Sequence, residues 1–177
     1  LEASLMKSYL NGYGVKDIYG KKANSASMYV YVSAVFQEMT EDIKRKIAGT
    51  FGVEDVHFHT TPFILFNKIQ DNFKEEAVMI VEGGEEVTDV SLVRDGVIQE
   101  IASFSRGSNF LTRHVASYFK IPLEEAVSYI NMYSVDHLDA DIKLKMQKIM
   151  GEGLQEWKNF FGQVMGGFYE TSFVPDK

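Results

Sequence analysis

Glu82-Gly83-Gly84-Glu85-Glu86 puts three carboxylates and two glycines into five consecutive residues. Glycine lets a backbone approach whatever lies opposite it, because no Cβ stands in the way. Taken alone, the stretch reads as an exposed acidic turn between two strands. Other residues with chemical potential point nowhere sharper. His57 and His59 stand two apart in an expected strand and so face the same side. That spacing suits a metal ion, but no third ligand is near in sequence, and a half-exposed strand face is the simpler reading. No metal site is assigned. His114 and His137 are lone residues, and Ser103, Ser105 and Ser108 have no nucleophile-elbow context. Trp157 and the phenylalanines around it read as core.

The acidic turn is held between periodic segments. Val78, Met79, Ile80 and Val81 form an apolar run that reads as a buried strand. From Val87 to Arg94 the pattern alternates, with Val90 and Leu92 on one side and Asp89, Ser91 and Val93 on the other. Asp95-Gly96 then joins this run to a second alternating one, Val97 to Phe104, which is the signature of a hairpin. Gly107-Ser108-Asn109 opens a helix. Leu111, Val115, Ala116 and Phe119 make its apolar face, and it closes before Pro122. Pro122 and Leu123 open a second helix on which Ala126, Val127 and Ile130 share a face. A long helix follows, capped by Asp139 or Asp141 and running to about Met165, with apolar positions near a 3.6-residue period. Gly151 and Gly153 within it signal a kink or close packing, since each costs about 1 kcal/mol against Ala. Gly166-Gly167 reads as its stop, and Phe168 to Val174 as a last strand.

Upstream, Leu5 to Tyr13 suggests a strand leading into Asn11-Gly12. Ser27 to Phe36, rich in β-branched and aromatic residues, predicts a well-buried strand. Thr40 offers an N-cap for a short amphipathic helix bearing Ile43, Ile47 and Ala48 and ending near Gly49 or Gly52. Val53 to Thr60 predicts another strand, and Thr61-Pro62 the start of a helix through Phe73. Alternation of strands with helices argues an α/β layer structure with parallel strands.

Composition bounds the function. At 177 residues, 45% hydrophobic and 13% aromatic, the chain suffices for one domain with a substantial core, or one domain plus an appendage. A net charge of −7 disfavours a broad electrostatic footprint on nucleic acid, and the cluster Lys16, Lys21 and Lys22 is too small to change that. The absence of cysteine excludes disulfides and thiolate chemistry and fits a reducing compartment. No apolar stretch approaches the roughly 18 residues that span a bilayer, and no signal-peptide pattern opens the chain. Leu1 is not an initiator Met, so a piece of a longer protein is expected.

The central stretch resembles the second phosphate-binding element of the actin-like ATPase superfamily, most of all its bacterial FtsA and PilM branch. That branch typically reads Asp-Ile-Gly-Gly-Gly-Thr-Thr-Asp at the strand turn, then a hairpin, then Gly-Gly-Asn-x-x-Thr before a helix. The counterparts here are Glu82-Gly83-Gly84-Glu85-Glu86-Val87-Thr88-Asp89 and Gly107-Ser108-Asn109-Phe110-Leu111-Thr112, followed by Arg113-His114-Val115-Ala116. Glu124-Glu125-Ala126 resembles a helix start of the family. Asn11-Gly12-Tyr13 with Gly20-Lys21 is similar to the end of its small inserted subdomain. The specific motifs occupy about a quarter of the chain.

The resemblance implies an α/β fold of the actin-like, ribonuclease H-like kind: a mixed sheet with hairpinned strands and helices on its faces. Residues 1–26 would be the remnant of an inserted subdomain and 27–177 the actin-like domain. It implies that Glu82 holds the acidic, catalytic position. Gly83, Gly84, Thr88, Asp89, Gly107, Ser108, Asn109 and Thr112 would line a site for ATP and Mg2+ that is weak or lost. In such a site exposed backbone amides bind phosphate oxygens. Departures from the pattern weigh against hydrolysis. Glu82 is a methylene longer than Asp, which moves the carboxylate by about 1.5 Å, and a misplacement of about 1 Å can cost about a hundredfold in rate. Glu85 and Glu86 stand where the family has Gly, and a carboxylate about 4 Å from a phosphate is repelled by about 4 kcal/mol at an effective dielectric near 20. The family's other phosphate loop and its adenosine motif have no counterpart.

Two functions follow. One is an actin-like scaffold domain similar to PilM or FtsA, non-catalytic or weakly nucleotide-binding. It would be cytoplasmic and peripheral to the inner membrane, docking protein partners or their short peptides in pilus assembly or cell division. Self-association is left open, and nucleic acid is not expected. The other is the ATP-binding half of a genuine actin-like ATPase. An unrelated α/β binding module is the third possibility, if the Gly-Ser-Asn-x-x-Thr match is chance.

Overall fold

The computed structural model describes residues 2–70 and 77–171. The chain divides into two compact units, Leu1–Val78 with Val93–Gln99, and Met79–Leu92 with Glu100–Lys177.

Unit 1 begins with a three-stranded antiparallel sheet in the order β2-β1-β3, from β1 (Glu2–Leu10), β2 (Tyr13–Val15) and β3 (Ala26–Ser33). Asn11 and Gly12 both take positive φ, 51° and 83°, as a two-residue hairpin turn matched to strand twist requires. Asn11 Oδ1 accepts the amides of Asn24 and Ser25 at 2.9 and 3.1 Å, which ties the approach to β3 back onto that turn. The expected division after residue 26 falls at the first residues of β3, which pairs with β1.

α1 (Gln37–Phe51) starts three residues before the expected Thr40 and ends on Gly52, in the left-handed region at φ 66°. Residues 52–60 form no strand, contrary to the reading of Val53 to Thr60. α2 (Thr61–Gln70) opens with Pro62 in its first turn, and the rest of the helix expected through Phe73 lies outside the described residues. Phe63 stacks on Tyr31 with ring centroids 4.8 Å apart, and Phe66 behind it is buried. β3 is otherwise not the buried strand expected: Met28, Tyr29, Val30 and Val32 are 45–58% exposed. Composition reports that a segment suits a pleated surface, whereas burial requires a second layer over it.

Unit 2 carries most of the second sheet, in the order β4-β5-β6, from β4 (Ala77–Gly83), β5 (Thr88–Arg94) and β6 (Val97–Phe104). Asp95-Gly96 makes the β5–β6 turn with φ of 53° and 70°, the hairpin expected. Its tip groups with unit 1, where Lys7 Nζ donates to the Asp95 carbonyl at 2.7 Å. Both sheets are antiparallel, so the strand–helix alternation along the chain does not become parallel pairing.

Three helices complete unit 2: α3 (Ser108–Phe119), α4 (Leu123–Ser134) and α5 (Ala140–Thr171). One stretch of α5, with Trp157, Phe160, Phe161, Val164, Met165 and Phe168, packs on Val90, Leu92 and Phe104 of the sheet. An earlier stretch buries Met146 and Ile149 with Val115 and Ala116 of α3 and Ala126 of α4. Gly166-Gly167 does not stop α5, and residues 168–171 are helical; the rest of the expected last strand lies outside the described residues. Two glycines cost about 2 kcal/mol in a helix. Burial of Phe168 to 3% exposure opposes that with a gain of similar size.

Candidate functional site

The two motifs meet where the β4–β5 loop crosses the start of α3. Glycine at 107 leaves α3 without a capping side chain, so its first amides need acceptors from elsewhere. The loop supplies them. The amides of Gly107, Ser108 and Asn109 donate to the carbonyls of Glu86, Gly84 and Glu85 at 3.2, 2.9 and 2.8 Å. The Gly84 amide closes the loop on the Val87 carbonyl at 2.9 Å. The approach is so close that a Cβ on Gly107 would stand 2.4 Å from Glu85 C and O and from Gly84 O. Gly107 is required here by another stretch of the same chain.

The side chains extend the same closure. Glu86 accepts Asn109 Nδ2 at 2.9 Å and a two-pronged contact from Arg113, Nη1 to Oε1 and Nη2 to Oε2, each at 2.9 Å. The Arg113 guanidinium, and then Asn109, hold the Glu86 carboxyl down at about 2. Arg113 is shifted up by the same bond. Charge-assisted fork contacts of this kind are stronger and more directional than neutral hydrogen bonds. The Glu85 side chain is exposed; its backbone carbonyl is what matters.

Thr88 is 1% exposed, and its hydroxyl donates to the Arg106 carbonyl at 2.6 Å and accepts Trp157 Nε1 at 3.1 Å. It anchors the β4–β5 loop to the 104–107 segment and to α5. Arg106 is itself pinned, bonded to Glu156 at 2.7 Å with its guanidinium over the rings of Phe110 and Phe160. Asp89 accepts the Ser103 hydroxyl from the neighbouring strand. Thr112 bonds weakly back to the Ser108 carbonyl at 3.4 Å. Gly83 is exposed at the end of β4. Glu82 is half-buried, and its Oε2 is buried with no hydrogen-bond partner among the described residues. Burial, and then the charge of Asp89, push its carboxyl up.

Of the residues singled out from the sequence, Gly84, Thr88, Gly107, Ser108, Asn109 and Thr112 take part in this loop–helix closure, Asp89 bonds instead to Ser103, and Glu82 and Gly83 make none of these contacts. Their arrangement is a poor fit for the phosphates of ATP. The α3 amides through Asn109 already have acceptors, and a carboxylate occupies Asn109 and Arg113. Among the described residues no three His, Cys, Asp or Glu side chains are grouped to hold a metal ion. His57 and His59 pair with Asp55 and Glu2, at 3.0 and 2.6 Å. Arg106, Arg113, Glu156 and Trp157 are participants to which the sequence alone assigns no role in the site. Arg113 had a legible signal, since it shares a helical face with Asn109 at i,i+4. Trp157 lies 69 positions from Thr88 and had none.

With this geometry in view, likeness to known proteins is informative at the level of fold. No family model matches the chain, and no curated protein does. Among solved structures, the PilM–PilN type IV pilus biogenesis complex aligns at a TM-score of 0.72 over 98% of this chain, with 15% identity. The fold is actin-like and PilM-like. The chain spans 47% of the length of the chain it matches. The ethanolamine utilisation protein EutJ from Carboxydothermus hydrogenoformans aligns at 0.45, with 17% identity, over 56% of this chain and 34% of its own, too weakly to carry an argument. Among the described residues no helix is long and apolar enough to cross a membrane.

Proposed function

We propose that this chain is part of a PilM-type scaffold that works by docking protein partners, not by turning over nucleotide. One observation carries the reading: the loop that would cradle phosphates is bonded to the start of α3 by three carbonyl–amide pairs. The matched structure is a type IV pilus biogenesis complex. By extension, the partner proposed here is a component of a pilus-assembly or cell-division complex, presented as a short peptide at the cytoplasmic face of the inner membrane. Residues Gly83, Gly84, Gly107, Ser108, Asn109 and Thr112 then serve to join the loop to the helix, and Glu82 has no catalytic task.

The test is calorimetric titration of Mg·ATP into the full-length protein. No saturable heat is expected, and the same protein should still bind its partner with Glu82→Ala in place. A second reading, the ATP-binding half of an actin-like ATPase, draws on the unpartnered Glu82 oxygen at the strand end. Saturable Mg·ATP binding lost with Glu82→Ala would establish that reading and remove the first.

A further inference from the structure

Helix starts carry partial positive charge, and α3 adds the full charge of Arg113 to its own. Such a place draws an anion, and here the chain has one of its own. Glu86 reaches it from the β4–β5 loop, with both carboxylate oxygens engaged by Arg113 and one shared with Asn109. The Glu86 carbonyl meanwhile accepts the Gly107 amide. Glu86 thus accepts the Gly107 amide through its backbone and neutralises the neighbouring arginine through its side chain, while Gly84 and Glu85 accept the Ser108 and Asn109 amides.

We propose that Glu86 is a resident anion, taking the place of an external phosphate and latching the β4–β5 loop onto α3 without ligand. The joined state of the two motifs is then permanent rather than nucleotide-dependent. Glu86, and not the adjacent Glu85, decides that phosphates are refused. The depressed carboxyl of Glu86 accords with a group held as an anion across the physiological range. This deepens the scaffold reading and rests on it for its biological meaning.

Amide hydrogen exchange at Gly107, Ser108 and Asn109 in the full chain reads the latch directly, with pyrophosphate as the probe anion. In the unaltered protein these amides are expected to be protected and unaffected by pyrophosphate. In Glu86→Ala they should exchange about tenfold faster or more, as local opening becomes easier. Added pyrophosphate should then slow them again. Arg113→Met should loosen the same amides from the other side of the contact, without recovery by pyrophosphate. Val90 and Leu92 amides, in the sheet core, report whether each variant is folded. Unchanged exchange in both folded variants would overturn the proposal, as would pyrophosphate protecting the unaltered protein as well as it does Glu86→Ala. Loss of partner binding with Glu82→Ala, the exchange pattern being as expected, would instead sink the scaffold reading alone, so the two failures are separable.

Discussion

Two glutamates four positions apart have opposite electrostatic fates. Glu86 has its carboxyl held near 2 against an ordinary 4.5 by Arg113 and Asn109. A carboxyl lowered on folding contributes stability that is complete above its unfolded value and lost as pH falls through its folded one. Arg113 and Asn109 face Glu86 from α3, Glu85 precedes it, and Arg113 stays charged throughout. Protection of the Gly107 to Asn109 amides should therefore be complete above 4.5, decline progressively on acidification below it and be lost on approach to about 2, as exchange measured against pH would show. Glu82 runs the other way. Burial pushes its carboxyl up, so its charged form opposes folding at neutral pH and ceases to do so once protonated. Glu82→Gln should raise stability at neutral pH by about 0.5 kcal/mol, a scale suited to a partly solvated group. Denaturant titration should show that gain vanishing in acid.

Among the elements, glycines that look alike in sequence differ in what surrounds them. At Gly107 an added Cβ meets backbone at 2.4 Å, which neither strand loop nor helix start can yield cheaply. Gly107→Ala should cost about 3 kcal/mol, with the α3 amides losing protection. At Gly153 the obstacle is the end of the Leu111 side chain at 2.6 Å, which a rotamer change relieves. This is the close packing anticipated for that part of α5. Gly151 has nothing within 4 Å. Gly151→Ala should therefore stabilise by about 0.5 to 1 kcal/mol, the helical preference for Ala appearing undiluted in a thermal melt.

For the molecule as a whole, a ligand that binds only the folded state raises its stability, by about 2.7 kcal/mol at a hundredfold excess over its dissociation constant. Mg·ATP at millimolar concentration should leave the melting temperature unchanged, while a partner peptide should raise it. A shift with Mg·ATP alone would mean that the loop opens to admit phosphates.

Much of this protein was written in local pattern. Asp95-Gly96 announces itself as a turn because left-handed backbone favours those residues, whereas Asn11-Gly12, within the strand expected from Leu5 to Tyr13, instead turns the chain after β1 ends at Leu10. The three helices after residue 107 follow from apolar spacing and from Gly107 and Pro122 at their starts. The motif residues that resemble the actin-like pattern lie in two short runs, 82–89 and 107–112, each legible locally. Other features depend on neighbours distant in the chain. β3 has the composition of a core strand but little over it, α5 runs through two glycines because Phe168 is buried on the sheet, and 53–60 stays irregular. The candidate site divides in the same way. Glycines and acids at 82–86 and 107–109 were visible as types, but their use was not. That required the loop carbonyls, the α3 amides, Arg113 and Trp157 to be brought together. Hydrogen bonds depend on distance and direction across the fold, which periodicity along one chain does not record.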